Sequence, residues 1–152
     1  QTLGSAAASV TFSSIPSTYT DLILVLNGSV SASDYIFFQV GNGLADTGSN
    51  YSYTWLDSRV ASSRASNSTA AFAGPSVLAN EQMNTIIQFQ NYSNTTTYKS
   101  YLSRGNSTSG WVTAAAGLWR STSAINRVDF FQQSGVDFAS GTTVTIYGIK
   151  AA

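Results

Sequence analysis

The chain has 152 residues, of which seven are basic, seven acidic, none His and none Cys; only 9% are charged, against about 25% in ordinary domains. Without Cys and His there are no disulfides, no thiol chemistry, none of the usual zinc or copper sites and no His-based triad. Zero formal net charge with no basic stripe argues against nucleic acid and anionic membranes as partners, and the longest apolar run, Leu22 to Leu26, is far too short to span a bilayer.

Taken in chain order, short stretches rich in β-branched and aromatic residues predict strands over residues 8–12, 21–26, 35–40, 51–56, 85–90, 98–103, 111–116, 125–132 and 142–149. Between them lie residues that tolerate tight turns, such as Asn27-Gly28, Gly41-Asn42-Gly43, Arg104-Gly105-Asn106, Ser134-Gly135 and Ser140-Gly141. Leu22 to Leu26 is apolar throughout, which predicts a central strand covered on both faces. Near the C-terminus, Val144, Ile146 and Gly148 alternate with Thr143, Thr145 and Tyr147, a period of two. The best helical candidate, residues 66–73, is too rich in Ser, Thr and Asn and reads as loop. About nine strands without intervening helices predict an all-β fold, an antiparallel β-sandwich that is jelly-roll-like. One domain over residues 1–152 is expected. Gln1 is an unusual neighbour for a removed initiator Met, so the expectation is a chain that continues upstream, either by further residues or as a larger protein of which this is the C-terminal domain.

The segments Leu3-Gly4-Ser5-Ala6-Ala7-Ala8-Ser9-Val10-Thr11-Phe12-Ser13-Ser14-Ile15-Pro16 and Tyr19-Thr20-Asp21-Leu22, together with Asn50-Tyr51-Ser52, Gly117-Leu118-Trp119-Arg120-Ser121-Thr122-Ser123-Ala124-Ile125 and the ending Gly141 to Ile149, resemble a family of β-rich structural proteins of tailed bacteriophages, many of them cyanophages or marine phages. The resemblance spans nearly the whole chain and implies a virion part, either a capsid decoration (cement) protein or a fibre domain. It supplies no catalytic residues. The same residues have plain structural roles: Pro16 fixes a turn, Asp21 opens the apolar strand, and Trp119 and Ile125 anchor a core.

Catalysis would have to come from carboxylates: Asp21, Asp34, Asp46, Asp57, Glu81, Asp129 and Asp137. A glycosidase needs two of them about 5–10 Å apart in different environments. Nearly all sit at strand edges or in turns, so no enzyme activity is expected. Asp46-Thr47-Gly48-Ser49-Asn50 has the oxygen content of a calcium loop but lacks regular acidic spacing and a terminal bidentate Glu, and reads as a turn. No metal or cofactor is expected. Tyr51, Tyr53 and Trp55 share one strand face by period two and are the candidate sugar-stacking residues; the competing reading makes them core.

Two functional expectations follow. The first is a phage virion structural protein working through oligomeric packing, a trimer being favoured, against capsid or fibre-shaft partners. The alternative is a carbohydrate- or receptor-binding domain of a tail fibre or cell-surface protein, its partner a host surface glycan. The direction in which Tyr51, Tyr53 and Trp55 point separates the alternative, in that form, from a core role.

Overall fold

The computed structural model describes residues 1–151. Twelve strands follow one another: β1 (Ser9–Phe12), β2 (Asp21–Gly28), β3 (Asp34–Asn42), β4 (Leu44–Ala45), β5 (Tyr51–Asp57) and β6 (Val60–Ser68). The rest are β7 (Ala71–Val77), β8 (Met83–Phe89), β9 (Lys99–Ser107), β10 (Val112–Trp119), β11 (Arg127–Gln132) and β12 (Thr143–Ile149). They form two antiparallel sheets, a seven-stranded one ordered β12-β2-β8-β9-β10-β5-β6 and a five-stranded one ordered β1-β11-β3-β4, in which β7 also pairs with β3. The fold is the expected all-β antiparallel sandwich, jelly-roll-like.

All nine expected strands are present, and β4, β6 and β7 are additional. β4 is a two-residue return held by the pairs Gly41–Ala45 and Asn42–Leu44. β6 is an edge strand of Ser, Ala, Asn and Arg with no apolar alternation. β7 contains Gly74 and Pro75, which speak against a strand interior. Besides its pairing with β3, it is tied to the other sheet: Tyr101 donates to the Phe72 carbonyl (3.1 Å) and Ser103 donates to the Ala73 carbonyl. Gly74 is required there, because a Cβ would run into the Thr85 side chain on β8.

Between the sheets, Leu22, Leu24 and Leu26 of β2 are buried together with Ile36, Phe38, Ile87, Phe89, Tyr101, Phe130 and Val144. Phe38 meets Phe89 and Tyr101 edge-on, at 5.6 and 4.9 Å between centroids. Burying each such side chain contributes about 1.5–3 kcal/mol. Trp119 and Ile125 are core residues, as expected. The expectation for β2 needs correction: only its Leu face is fully buried, whereas Ile23 and Val25 on the other face are partly exposed.

The titratable groups of this core set a pH dependence. Burial raises the phenols of Tyr51, Tyr53, Tyr92 and Tyr101 above their ordinary range, and burial lowers the Lys99 ammonium. Above pH ~10 the unfolded chain gives up phenolic protons that the folded chain keeps, so stability falls as pH rises. Lys99 acts oppositely over the window from its lowered pKa up to its ordinary one, but it is one group against four. In acid, the Arg59 side chain beside Asp57 holds that carboxyl below the carboxylate range. Burial alone would raise Asp46, but hydrogen bonds from Trp119, Asn50 and the Gly48 N–H outweigh it and lower it. Both carboxylates stabilise the fold above pH ~4 and stop doing so as pH falls through their lowered values. With no His, urea midpoints are expected to stay flat from about pH 5 to 8 and to drop on both sides. A midpoint that climbs steadily beyond pH 10 would contradict the tyrosine assignment.

Candidate functional site

The outer face of the seven-stranded sheet is built from the residues that period two turns away from the core. Ile86, Arg104, Ala114 and Leu56 stand side by side across β8, β9, β10 and β5. One pleat along, Gln88, Leu102, Ala116, Thr54 and Arg64 form the next row, which reaches β6. Ala114 and Ala116 are exposed but short, so the sheet is recessed along β10 between the taller Leu102 and Leu56, themselves about half exposed. The result is an open trough of about 440 Å³. It adjoins a second hollow of about 390 Å³ bordered by Ser52, Thr54, Arg64, Ser66, Gly117 and Leu118. Ligand sites commonly occupy about 300–1,000 Å³, a range the trough reaches.

The lining of the trough is mainly aliphatic, with Thr54 and the single amide Gln88 as its neutral polar side chains on the outer face. The charges are the guanidiniums of Arg104 in the trough and Arg64 in the second hollow, and no Asp or Glu borders either. The trough contains no converging pair of carboxylates. Elsewhere, Asp21, Asp34, Asp46, Asp57, Glu81 and Asp129 each accept hydrogen bonds from nearby N–H or O–H groups. Among the described residues, no group of three or more His, Cys, Asp or Glu side chains is placed to hold a metal ion. Asp46 to Asn50 is a turn: the Asp46 carboxylate accepts from Gly48 N, Asn50 Nδ2 and Trp119 Nε1, at 2.7–2.9 Å.

Tyr51, Tyr53 and Trp55 belong to the opposite phase of β5 and none of them borders the trough, although Tyr53 is among the residues around the second hollow. Tyr51 is fully buried in the core. Tyr53 and Trp55 stack on Phe72, at 5.9 and 5.1 Å with interplanar angles of 29° and 14°. With Tyr35 and Phe37 they close a satellite cluster, whose residual pit of about 170 Å³ is also bordered by Gln133. That pit is smaller than an ordinary ligand site, and its rings are occupied with one another. The three aromatics therefore anchor β5, and the opposite phase of the same strand, Ser52, Thr54 and Leu56, faces the trough. Ala114-Ala115-Ala116-Gly117 is easily passed over as low complexity. Its usable signal is a strand whose outward positions are all small, beside strands whose outward positions are leucines.

No family model matches the chain, and no curated protein is similar to it. Among solved structures it is similar to congerin II liganded by lactose and MES, at 12% identity and a TM-score of 0.44 over 91% of this chain and 99% of that one. It is also similar to galectin-Ib of Xenopus laevis, at 6% identity and a TM-score of 0.43 over 92% and 100% of the two chains. A tetrameric galectin from the ball sponge Cinachyrella sp. aligns at 8% identity and a TM-score of 0.38, over 93% and 99%. These findings correct the first functional expectation: the structures to which the chain is similar are galectins, not phage virion proteins. The reading as a capsid decoration protein or fibre domain is withdrawn, along with its capsid and shaft partners. At these identities and TM-scores the likeness assigns no ligand to this chain.

Proposed function

We propose that this chain is a non-enzymatic carbohydrate-binding domain and that the trough over β5, β8, β9 and β10 receives the glycan. The observation that carries this is the composition of the trough wall. Saccharides present C–H faces beside hydroxyls, and the wall offers Leu56, Leu102 and Ile86 beside Thr54, Gln88 and the Arg104 guanidinium. Low charge across the chain suits a ligand read by neutral hydrogen bonds, and the absence of carboxylates from the trough suits binding without hydrolysis. Copies of the chain associate with one another. Tyr147 and Ile149 are exposed on the edge strand β12 and give copies an apolar place to meet, and repeated sites would strengthen binding to a multivalent glycan.

Ala116→Trp fills the trough from its floor. Because Ala116 is exposed, the variant is expected to fold, with a melting temperature within about 2 °C of the parent. On a printed glycan array followed by titration calorimetry, the parent chain is expected to bind at least one glycan class, and Ala116→Trp to lose about tenfold or more of that affinity. Undiminished binding by the filled variant, or no glycan bound by the parent, would refute the proposal.

A further inference from the structure

We infer that the trough selects an acidic glycan, one bearing carboxylate or sulfate groups, with Arg104 and Arg64 as its anion contacts; this rests on the glycan-binding role proposed above. The observation behind it is the state of the five arginines. Arg59 is bidentate to Asp57, at 2.9 and 2.8 Å, and lies 3.3 Å from the centre of the Trp111 ring. Arg127 is bidentate to Asp129, at 2.7 and 2.9 Å. Arg120 donates to the Ser49 carbonyl and to Asn67 Oδ1, at 2.6 and 2.9 Å. Among the described residues, both ion pairs belong to Arg59 and Arg127, and the side chains of the two remaining arginines make no hydrogen bond. Those two, Arg104 and Arg64, are the pair that border the trough and its adjoining hollow.

In a chain this poor in charge, two unengaged guanidiniums over one acid-free groove make a local positive field that the zero net charge conceals. A guanidinium presents a planar fork of N–H donors that matches a carboxylate or sulfate better than a lone hydroxyl. Thr54 on β5 is paired with Arg64 on β6, and Ala114 on β10 with Arg104 on β9, so the two arginines are three strand spacings apart across the sheet. At about 4.8 Å per spacing their Cα atoms are on the order of 15 Å apart, so one ligand touching both must be an oligomer with repeated anionic groups. Single-stranded nucleic acid fits less well: its bases need aromatic platforms, and the trough wall is aliphatic.

The test is calorimetry with four probes: an oligogalacturonate for carboxylate, a sulfated galactan oligosaccharide for sulfate, a neutral galacto-oligosaccharide of equal length, and hexaglutamate. At about 50 mM salt at least one acidic saccharide is expected to bind roughly tenfold more tightly than the neutral one, with the preference shrinking as salt rises. Which acidic probe binds distinguishes the two anion sources. Arg104→Gln and Arg64→Gln are each expected to lose several-fold for the acidic saccharide, the double variant to bind acidic and neutral probes alike, and all three to keep the parent melting temperature. Equal binding of neutral and acidic saccharides by the parent would overturn the acidic preference and leave the glycan-binding role standing. Hexaglutamate bound as tightly as the acidic saccharide would show that the trough reads charge alone, against the inference. Failure of all four probes, together with a blank glycan array, would remove the glycan-binding role itself.

Discussion

Replacing Tyr51 by Phe is expected to lower stability by about 2 kcal/mol, and replacing it by Ala by about 5 kcal/mol, with glycan affinity unchanged in the Phe variant. Tyr51 opens β5 in the seven-stranded sheet, yet its hydroxyl lies against Val40 of β3 in the other sheet. Val40 N–H donates to Tyr51 Oη (3.0 Å), and Oη lies 3.0 Å from the Val40 carbonyl and 2.9 Å from that of Asp46. Phe keeps the ring but leaves the buried Val40 N–H without an acceptor, which costs about 1–3 kcal/mol. Ala also removes a fully buried ring, for which losses run to about 3–5 kcal/mol, a large part of the roughly 5–15 kcal/mol that holds a domain together. For a chain of this length the Phe variant should melt about 4–8 °C lower. A Phe variant within about 0.5 kcal/mol of the parent would mean that Val40 finds another partner and that the hydroxyl does not tie the sheets. A Phe variant of normal stability that lost glycan would instead return Tyr51 to the site.

The same strand shows how far the sequence could be read. Period two correctly set Tyr51, Tyr53 and Trp55 apart from Ser52, Thr54 and Leu56, but alternation alone does not say which set faces outward. A sugar platform and a core role were both open for the first set, the core being commoner for strand aromatics, and the bulk is buried against Phe72 and Val40. The apolar run of β2 misled in a related way. A strand apolar on both faces reads as covered on both, but Ile23 and Val25 belong to the open outer face that also carries the trough. The nine strands with their own β-branched or aromatic content were legible. β7 was not, because a Gly-Pro strand is held by hydroxyls from β9 and by the space that Gly74 leaves for Thr85, neither of which is a local signal. The low-complexity segments behind the phage resemblance are turn and strand chemistry, which many β-sandwiches can share.

The second large effect is expected at Gly117, where Ala should cost about 3 kcal/mol and Val more. Gly117 on β10 pairs with Tyr101 on β9, and the Tyr101 ring lies directly over it, so an added Cβ would occupy the ring's own space. The ring has nowhere to retreat: it is 3% exposed, sits edge-on to Phe38, and its hydroxyl is bonded to the Phe72 carbonyl of β7. Displacing it overpacks the core, at about 1–3 kcal/mol, and breaks the bond that holds β7 across the sandwich, at a further 1–3 kcal/mol or so. Gly148 is the control. Tyr19 covers it in the same manner but is 38% exposed, so its ring can swing into solvent and Gly148→Ala should cost well under half as much. A double-mutant cycle isolates the cause. In a Tyr101→Leu background Gly117→Ala should be milder by at least about 1 kcal/mol, and an unchanged cost there would locate the strain in the backbone of β10 instead. Because β10 floors the trough through Ala114 and Ala116, and Gly117 borders the adjoining hollow, a shift of β10 that accommodates the new methyl moves the binding surface. Gly117→Ala should therefore weaken glycan binding together with stability, whereas Tyr51→Phe, acting on the far side of β5, lowers stability alone.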